Sequence, residues 1–477
     1  MQFRFLLIVL SFIVAQRGCC GYAHATGRRL GNAKATSRVQ PLSMTAAATG
    51  KAKRGGDATV ASSTFNLAKS IVGAGVLSLP SGIAFFADSP AAIVPASVMC
   101  AVMGLVSAYT FSLIGRVCEK TNATSFQDAW SKTVNPKTAW TISAMITAMC
   151  FLASLAYSII IGDSFTSLAQ TFNFPAFFAS RTNVIIAMTT FVLFPLCSLK
   201  SLNALSPFSL LGLGGTLYTA IFMAIRFLDG SYKAGGNFFL QLAPAMRPVF
   251  NKRPLAVNHL VFVLISMLST SYIAHYNAPS FYNELKDTSM PRFNKVIGLA
   301  FGASIATFVI MMNLGFLTFG GATAGYVLNN YASGDGLASL ARLAIGLALL
   351  TGYPFTFSAL RDGILDLRKL EGAERAKQAR PLTIGLITVI TALAISLKNV
   401  GYVLSLSGAL FGSTLMFCVP AYMNICAERT KEKASPGEKP SKNSKLEVAV
   451  NWGMIATGFI MGAIGVTVST LQELGKL

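Results

Sequence analysis

The sequence predicts an all-α integral membrane protein of about eleven transmembrane helices, and three observations carry that prediction. Hydrophobic residues fill 53% of 477 positions while charged residues take only 12%, about half the ~25% usual in soluble domains. The apolar residues gather into runs of about twenty, the length that crosses a ~30 Å hydrocarbon core at ~1.5 Å per residue. Two of those runs, the first and the sixth, are interrupted by glycine, proline and polar residues.

Composition also narrows the function classes. A water-soluble enzyme of this length needs far more polar surface to cover its core. The net charge of +21 would suggest nucleic acid in a soluble chain. Here Lys and Arg collect in the loops of one face, where they fix orientation, so no nucleic-acid partner is expected and the bilayer is. Cys100, Cys118, Cys150, Cys197, Cys418 and Cys426 lie in or beside apolar runs without a CxxC pair, and read as small core hydrophobes. No cofactor or metal motif is present. HExxH, GxSxG, paired intramembrane aspartates and a Walker-type GxxxxGK[ST] are all missing from the sequence, which argues against an intramembrane enzyme or a self-powered pump.

The chain opens on a signal-like segment, 1–25: Arg4, the apolar run Phe5–Ala15 and an Ala23-x-Ala25 site. The tract 26–63 is basic and rich in Ala, Ser and Thr, and its first acidic residue is Asp57. It reads either as an organelle leader of the bipartite kind that targets a plastid envelope, or as a signal anchor with a disordered tail in a vacuolar, endomembrane or plasma-membrane protein. The eleven apolar runs fill 64–471, at about 64–86, 91–115, 139–162, 182–198, 207–228, 256–276, 294–319, 337–358, 382–398, 402–426 and 448–471, and 472–477 forms a short tail. With residue 63 inside, the inside loops hold twenty Lys and Arg and the outside segments nine, five of them in the long 226–258 connection. That asymmetry places the N-terminal end of the bundle inside.

In the first run, Ser70-Ile-Val-Gly-Ala-Gly-Val-Leu-Ser-Leu-Pro80 sets Gly73 and Gly75 mid-span with Pro80 one to two turns on. Gly costs about 1 kcal/mol and Pro about 3 kcal/mol in a helix interior, so the helix is weak there. Unwound backbone is tolerated at membrane depth only where it lines a cavity, and broken helices at the midplane form transporter sites. Close packing through small residues is the alternative. The sixth run ends in Ser271-Tyr-Ile-Ala-His-Tyr-Asn-Ala-Pro279, polar groups and a proline where lipid-facing residues should be apolar. Interrupted runs five helices apart are what two inverted five-helix repeats give.

These residues resemble the amino acid/auxin permease family, in its sodium-coupled and vacuolar neutral amino acid branches. Phe65-Asn-Leu-Ala-Lys-Ser-Ile-Val-Gly-Ala-Gly-Val-Leu-Ser-Leu-Pro80 is similar to its opening signature, and Ala156-Tyr-Ser-Ile-Ile-Ile-Gly-Asp163 to its third span. His275 with Pro279 and Tyr282-Asn-Glu-Leu-Lys-Asp287 resembles its sixth span and following loop. Leu314-Gly-Phe-Leu-Thr-Phe-Gly320 and Ser407-Gly-Ala-Leu-Phe-Gly-Ser-Thr-Leu-Met-Phe-Cys-Val-Pro420 resemble its seventh and tenth. The resemblance implies a leucine-transporter-like fold and secondary transport of amino acids coupled to protons or sodium. The alternative is an amino acid sensor with a transporter fold and little transport.

By the same resemblance, the backbone at Gly73, Ala74 and Gly75 would hold a substrate carboxylate. The stretch Ser271, Tyr272, Ile273, Ala274 and His275 would face its amino group, and Tyr157 would stand on the third span facing the pocket, or else pack as an ordinary aromatic. His275 is read as a structural hydrogen-bonder or as a proton relay. Two departures bear on coupling. Lys69 stands where sodium-coupled members carry Asn, and Gly352 stands where they carry Thr, with Thr351 one position off. An ammonium repels Na⁺, so Lys69 and Thr351 become the coupling-ion candidates, with a proton favoured over sodium. Lys69 either fills the cation's place or snorkels to the interface.

Overall fold

The computed structural model describes residues 56–199, 209–250, 258–434 and 442–475. The signal-like segment 1–25 and nearly all of the basic tract after it lie outside the described residues. Among the described residues the chain is helical throughout, and strand pairing is confined to two isolated bridges, Ala58 with Leu285 and Val249 with Gly320.

Each predicted run coincides with a helix or a pair of half-helices. The uninterrupted ones include Ile93–Thr121 (second), Ala139–Thr171 (third), Met290–Phe319 (seventh), Gly336–Leu367 (eighth) and Lys442–Glu473 (eleventh). By length and apolar composition, seven helices among the described residues can cross a membrane, or eight if the bent first pair counts as one. The fourth and fifth, Arg181–Cys197 and Gly212–Leu228, are shorter apolar helices. The ninth, Gly372–Ser396, starts well before its apolar run and passes through Pro381. Pro381 is the tenth residue of this helix and removes one backbone hydrogen bond without ending it, so the helix begins outside the apolar run expected at 382.

The two broken spans match in detail. The first divides into Val60–Ile71 and Leu79–Phe86, joined by a 3₁₀ turn at Ala74–Ser78. The sixth divides into Val261–Ser271 and Ala278–Glu284, joined through a 3₁₀ turn at His275–Asn277. Pro80 and Pro279 are each the second residue of a second half-helix, where the missing N–H costs nothing. The repeat expected from position alone thus has the same proline stop in both halves.

The third span forms the centre of the bundle: no residue between 141 and 169 is exposed. Its main neighbour is the eighth span, where Gly346 leaves room for Phe165 and Gly363 for Thr147. The tenth presses even closer on the sixth, because a methyl group on Gly408 would stand 1.7 Å from the Ser266 carbonyl. Gly458, Gly462 and Gly465 bring the eleventh span onto the same helices, the small-residue packing that replaces hydrophobic drive in lipid. The six predicted core cysteines are all buried.

Polar side chains lock the loops. Asp335, fully buried, caps the eighth span through Leu337 N, takes Arg226 on both oxygens at 2.8 Å and accepts the Tyr232 hydroxyl at 2.9 Å. At the same end Arg181 pairs with Asp163 at 2.7 Å and donates to the Ala394 carbonyl of the ninth span at 2.9 Å. At the opposite end the chain around Gly56 and Ala58 is laced to Asn283, Glu284 and Lys286 by three backbone hydrogen bonds of 2.9–3.1 Å.

Candidate binding site at the two helix breaks

The first half-helix ends at Ile71, and Val72 and Gly73 leave the helical path. Gly73 is extended (φ −104°, ψ −173°), and no side chain caps the 3₁₀ turn that follows. The first amides of a helical segment have no partner inside it, which leaves the N–H groups of Ala74 and Gly75 as the donors at this break. A methyl group on Gly73 would meet no atom within 4 Å, although Ile71, Val72 and Val76 beside it are buried. Open space therefore adjoins the unwound backbone. Gly73 has an ordinary φ, so what it supplies is room.

The sixth span breaks against the first. A methyl group on Gly75 would come 3.3 Å from Ser271 Oγ, so the start of one half-helix sits beside the end of the other. An amide-rich helix start favours negative charge and a carbonyl-rich helix end favours positive charge. The pair can thus accept a zwitterion, with a carboxylate at 73–75 and an ammonium toward 271–274.

The side chains of the sixth-span break divide between two directions. Tyr272 and His275 are fully buried and turn to the second span: the Tyr272 hydroxyl lies 3.1 Å from the Cys100 carbonyl and its own carbonyl accepts from Ser107. His275 Nε2 is 2.9 Å from Thr110 Oγ1. That hydroxyl also lies within reach of the Val106 and Ser107 carbonyls. Ala274 is buried and Ile273 is half-buried. Any contact of Tyr272 or His275 with a ligand at the break is therefore through backbone, since their rings brace the break from behind.

Tyr157 projects from the third span with part of its surface accessible, in a helix that has no exposed face there, and its hydroxyl faces Thr356 of the eighth span. Tyr276 lies close to it and is likewise half-buried. Thr356 and Tyr276 escaped the sequence reading. Pro354, two residues before Thr356 inside a helix that nonetheless continues, was the available signal. Ser158, next to Tyr157, bonds the Tyr353 hydroxyl at 3.3 Å.

Lys69 lies in the last turn of the first half-helix and is half-buried. A positive charge in the last turn of a helix suits the negative end of its dipole. Thr351 spends its hydroxyl on its own helix, donating to the Leu347 or Ala348 carbonyl at 3.0 Å, and beside Gly352 a methyl group would meet nothing within 4 Å.

Comparison with known proteins bears on the family and the fold. A Danio rerio protein named sodium-coupled neutral amino acid transporter 11 is 24% identical over 385 residues, covering 79% of this chain and 82% of its own. Vacuolar amino acid transporter 2 of Saccharomyces cerevisiae is also 24% identical, over 77% of this chain and 76% of its own. The solved structure of the inward-facing conformation of Mhp1 superposes with a TM-score of 0.51 at 10% identity, over 88% of this chain and 90% of that one, which shows a shared leucine-transporter-like fold. The model of the transmembrane amino acid transporter protein family matches residues 56–470. With the fold, the paired breaks and that match over most of its length, the chain belongs to the transmembrane amino acid transporter family.

Proposed function

We propose that this protein is a secondary transporter of amino acids that binds its substrate between the two helix breaks and works by alternating access. The observation that carries the reading is the meeting of Gly75 with Ser271, beside open space at Gly73. Amides on one side and carbonyls on the other form a site for the two charges every free amino acid carries, whatever its side chain. Tyr157, Thr356 and Tyr276 then form the wall that a substrate side chain meets. The eleven helical segments are eleven crossings in this reading, with the Lys/Arg-rich loops inside.

Proton coupling or facilitated movement fits better than sodium coupling. Na⁺ takes a shell of oxygen ligands, whereas Lys69 brings a positive charge to the last turn of the first half-helix, and the Thr351 hydroxyl is committed to its own helix. The vacuolar names among the relatives support an endomembrane location. A fluorescent fusion of residues 1–63 tests that directly, since plastid or surface accumulation contradicts it. Uptake of radiolabelled amino acids into proteoliposomes tests the activity, and a chain that binds amino acids without moving them is a sensor.

A further inference from the structure

The loop joining the third and fourth spans, Thr171-Phe-Asn-Phe-Pro-Ala-Phe-Phe-Ala-Ser180, contains no charged residue. Phe172, Phe174, Phe177 and Phe178 are 68%, 56%, 69% and 61% exposed. Four such rings on ten residues of an exposed loop form an apolar patch that soluble surfaces avoid. The connection 226–250 at this end is built differently, with Arg226, Asp229, Lys233 and Arg247.

The backbone of the loop is folded on itself. Asn173 takes the left-handed conformation (φ 54°), and Phe174 N reaches back to the Ala169 carbonyl at 3.0 Å, closing the third span as a Schellman motif. Phe172 N and Asn173 N bond Leu168 and Gln170, while Phe178 N and Ala179 N both bond the Pro175 carbonyl. Pro175 has no N–H to satisfy. Asn183 Nδ2 donates to the Phe177 carbonyl at 2.8 Å. Five of the eight amides in 172–180 are bonded in this way, which lowers the cost of approaching an apolar phase while leaving three to the headgroup layer.

The patch also continues along the exposed side of the fourth span. Asn183, which holds the loop, lies one turn from Ile186, which is 46% exposed. Phe191, 78% exposed, follows through the π-turn Thr189–Leu193. A single apolar face runs from the loop down the fourth span. The third span is 33 residues long, about 50 Å at 1.5 Å per residue, enough to carry its loop into the headgroup boundary of a tilted bundle.

We propose that the loop at 171–180 is a membrane-inserted anchor, its four phenylalanines seated among the acyl chains of the leaflet opposite the Lys/Arg-rich loops. The test uses the full chain in phosphatidylcholine vesicles, with Cys19 and Cys20 changed to Ser and a spin label on Phe177→Cys or, separately, Phe178→Cys. Phe191→Cys serves as the lipid-facing reference and Lys233→Cys as the aqueous one. Collision with dissolved oxygen should exceed collision with a water-soluble nickel chelate, in the ratio found for Phe191→Cys. The ratio found for Lys233→Cys would overturn the proposal by placing the loop in water. Shielding from both reagents would overturn it too, by showing a second protein surface over the rings.

Discussion

Gly75 and Ser271, 196 positions apart in sequence, lie so close that a methyl group on the glycine would sit 3.3 Å from the serine hydroxyl. That contact joins the start of one half-helix to the end of another and gives the proposed site its two polarities.

Substitutions at the first break should therefore grade by volume. Gly73→Ala meets no atom within 4 Å and needs no unusual φ, so the protein should fold and insert normally. Any loss of uptake in it reports space taken from the substrate. Gly73→Leu and Gly75→Leu should abolish uptake while membrane insertion persists. Normal uptake by both leucine variants would remove the substrate from this break.

The first break was legible because glycine and proline act locally: Gly73, Gly75 and Pro80 weaken a helix wherever it packs. The sixth was half legible. Pro279 announced a stop, and the polar run announced a site, but the same composition serves a ring facing a ligand and a ring facing the second span. Only the positions of Cys100, Ser107 and Thr110 show that Tyr272 and His275 brace the break. Thr356 was hidden for a similar reason, because its role depends on Tyr157 across a helix interface. The length of the ninth span was misread because hydropathy marks where the apolar run begins, while its helix begins ten residues earlier among charges.

Asp335 should be the most costly surface-end residue to remove. It is fully buried and holds Arg226, Tyr232 and the start of the eighth span together. Asp335→Ala strands the Tyr232 hydroxyl and leaves the Arg226 guanidinium with Asp229 alone, 2.9 Å away, and should cost about 2–3 kcal/mol, read as a lower unfolding midpoint in detergent. Asp335→Asn keeps the acceptor oxygen and should cost less. Equal midpoints for both variants and the unmodified protein would contradict this.

The strap at Gly56 should be intolerant of any side chain. A methyl group there would stand 2.3 Å from the Glu284 carbonyl oxygen, a backbone atom that cannot swing aside. Gly56→Val should detach the strap, and hydrogen exchange at the amides of Ala58 and Lys286, both bonded across it, should speed up. Unchanged protection at those two amides would show that the strap tolerates the branch.

Lys69 decides the coupling argument. If its ammonium stands in for a metal cation, Lys69→Met should lose the pH dependence of uptake between pH 5 and 8, and Lys69→Asn should do so without gaining clean sodium dependence. If it snorkels, Lys69→Arg and Lys69→Met should both transport at near-normal rates with the pH profile intact.

The central claim is amino acid transport through the paired breaks, and proteoliposome uptake measured under separate proton and sodium gradients tests it most directly. The account predicts accumulation of labelled amino acid that persists when sodium is replaced by choline and disappears in Gly75→Leu. Binding without accumulation, or uptake that requires sodium, would contradict it.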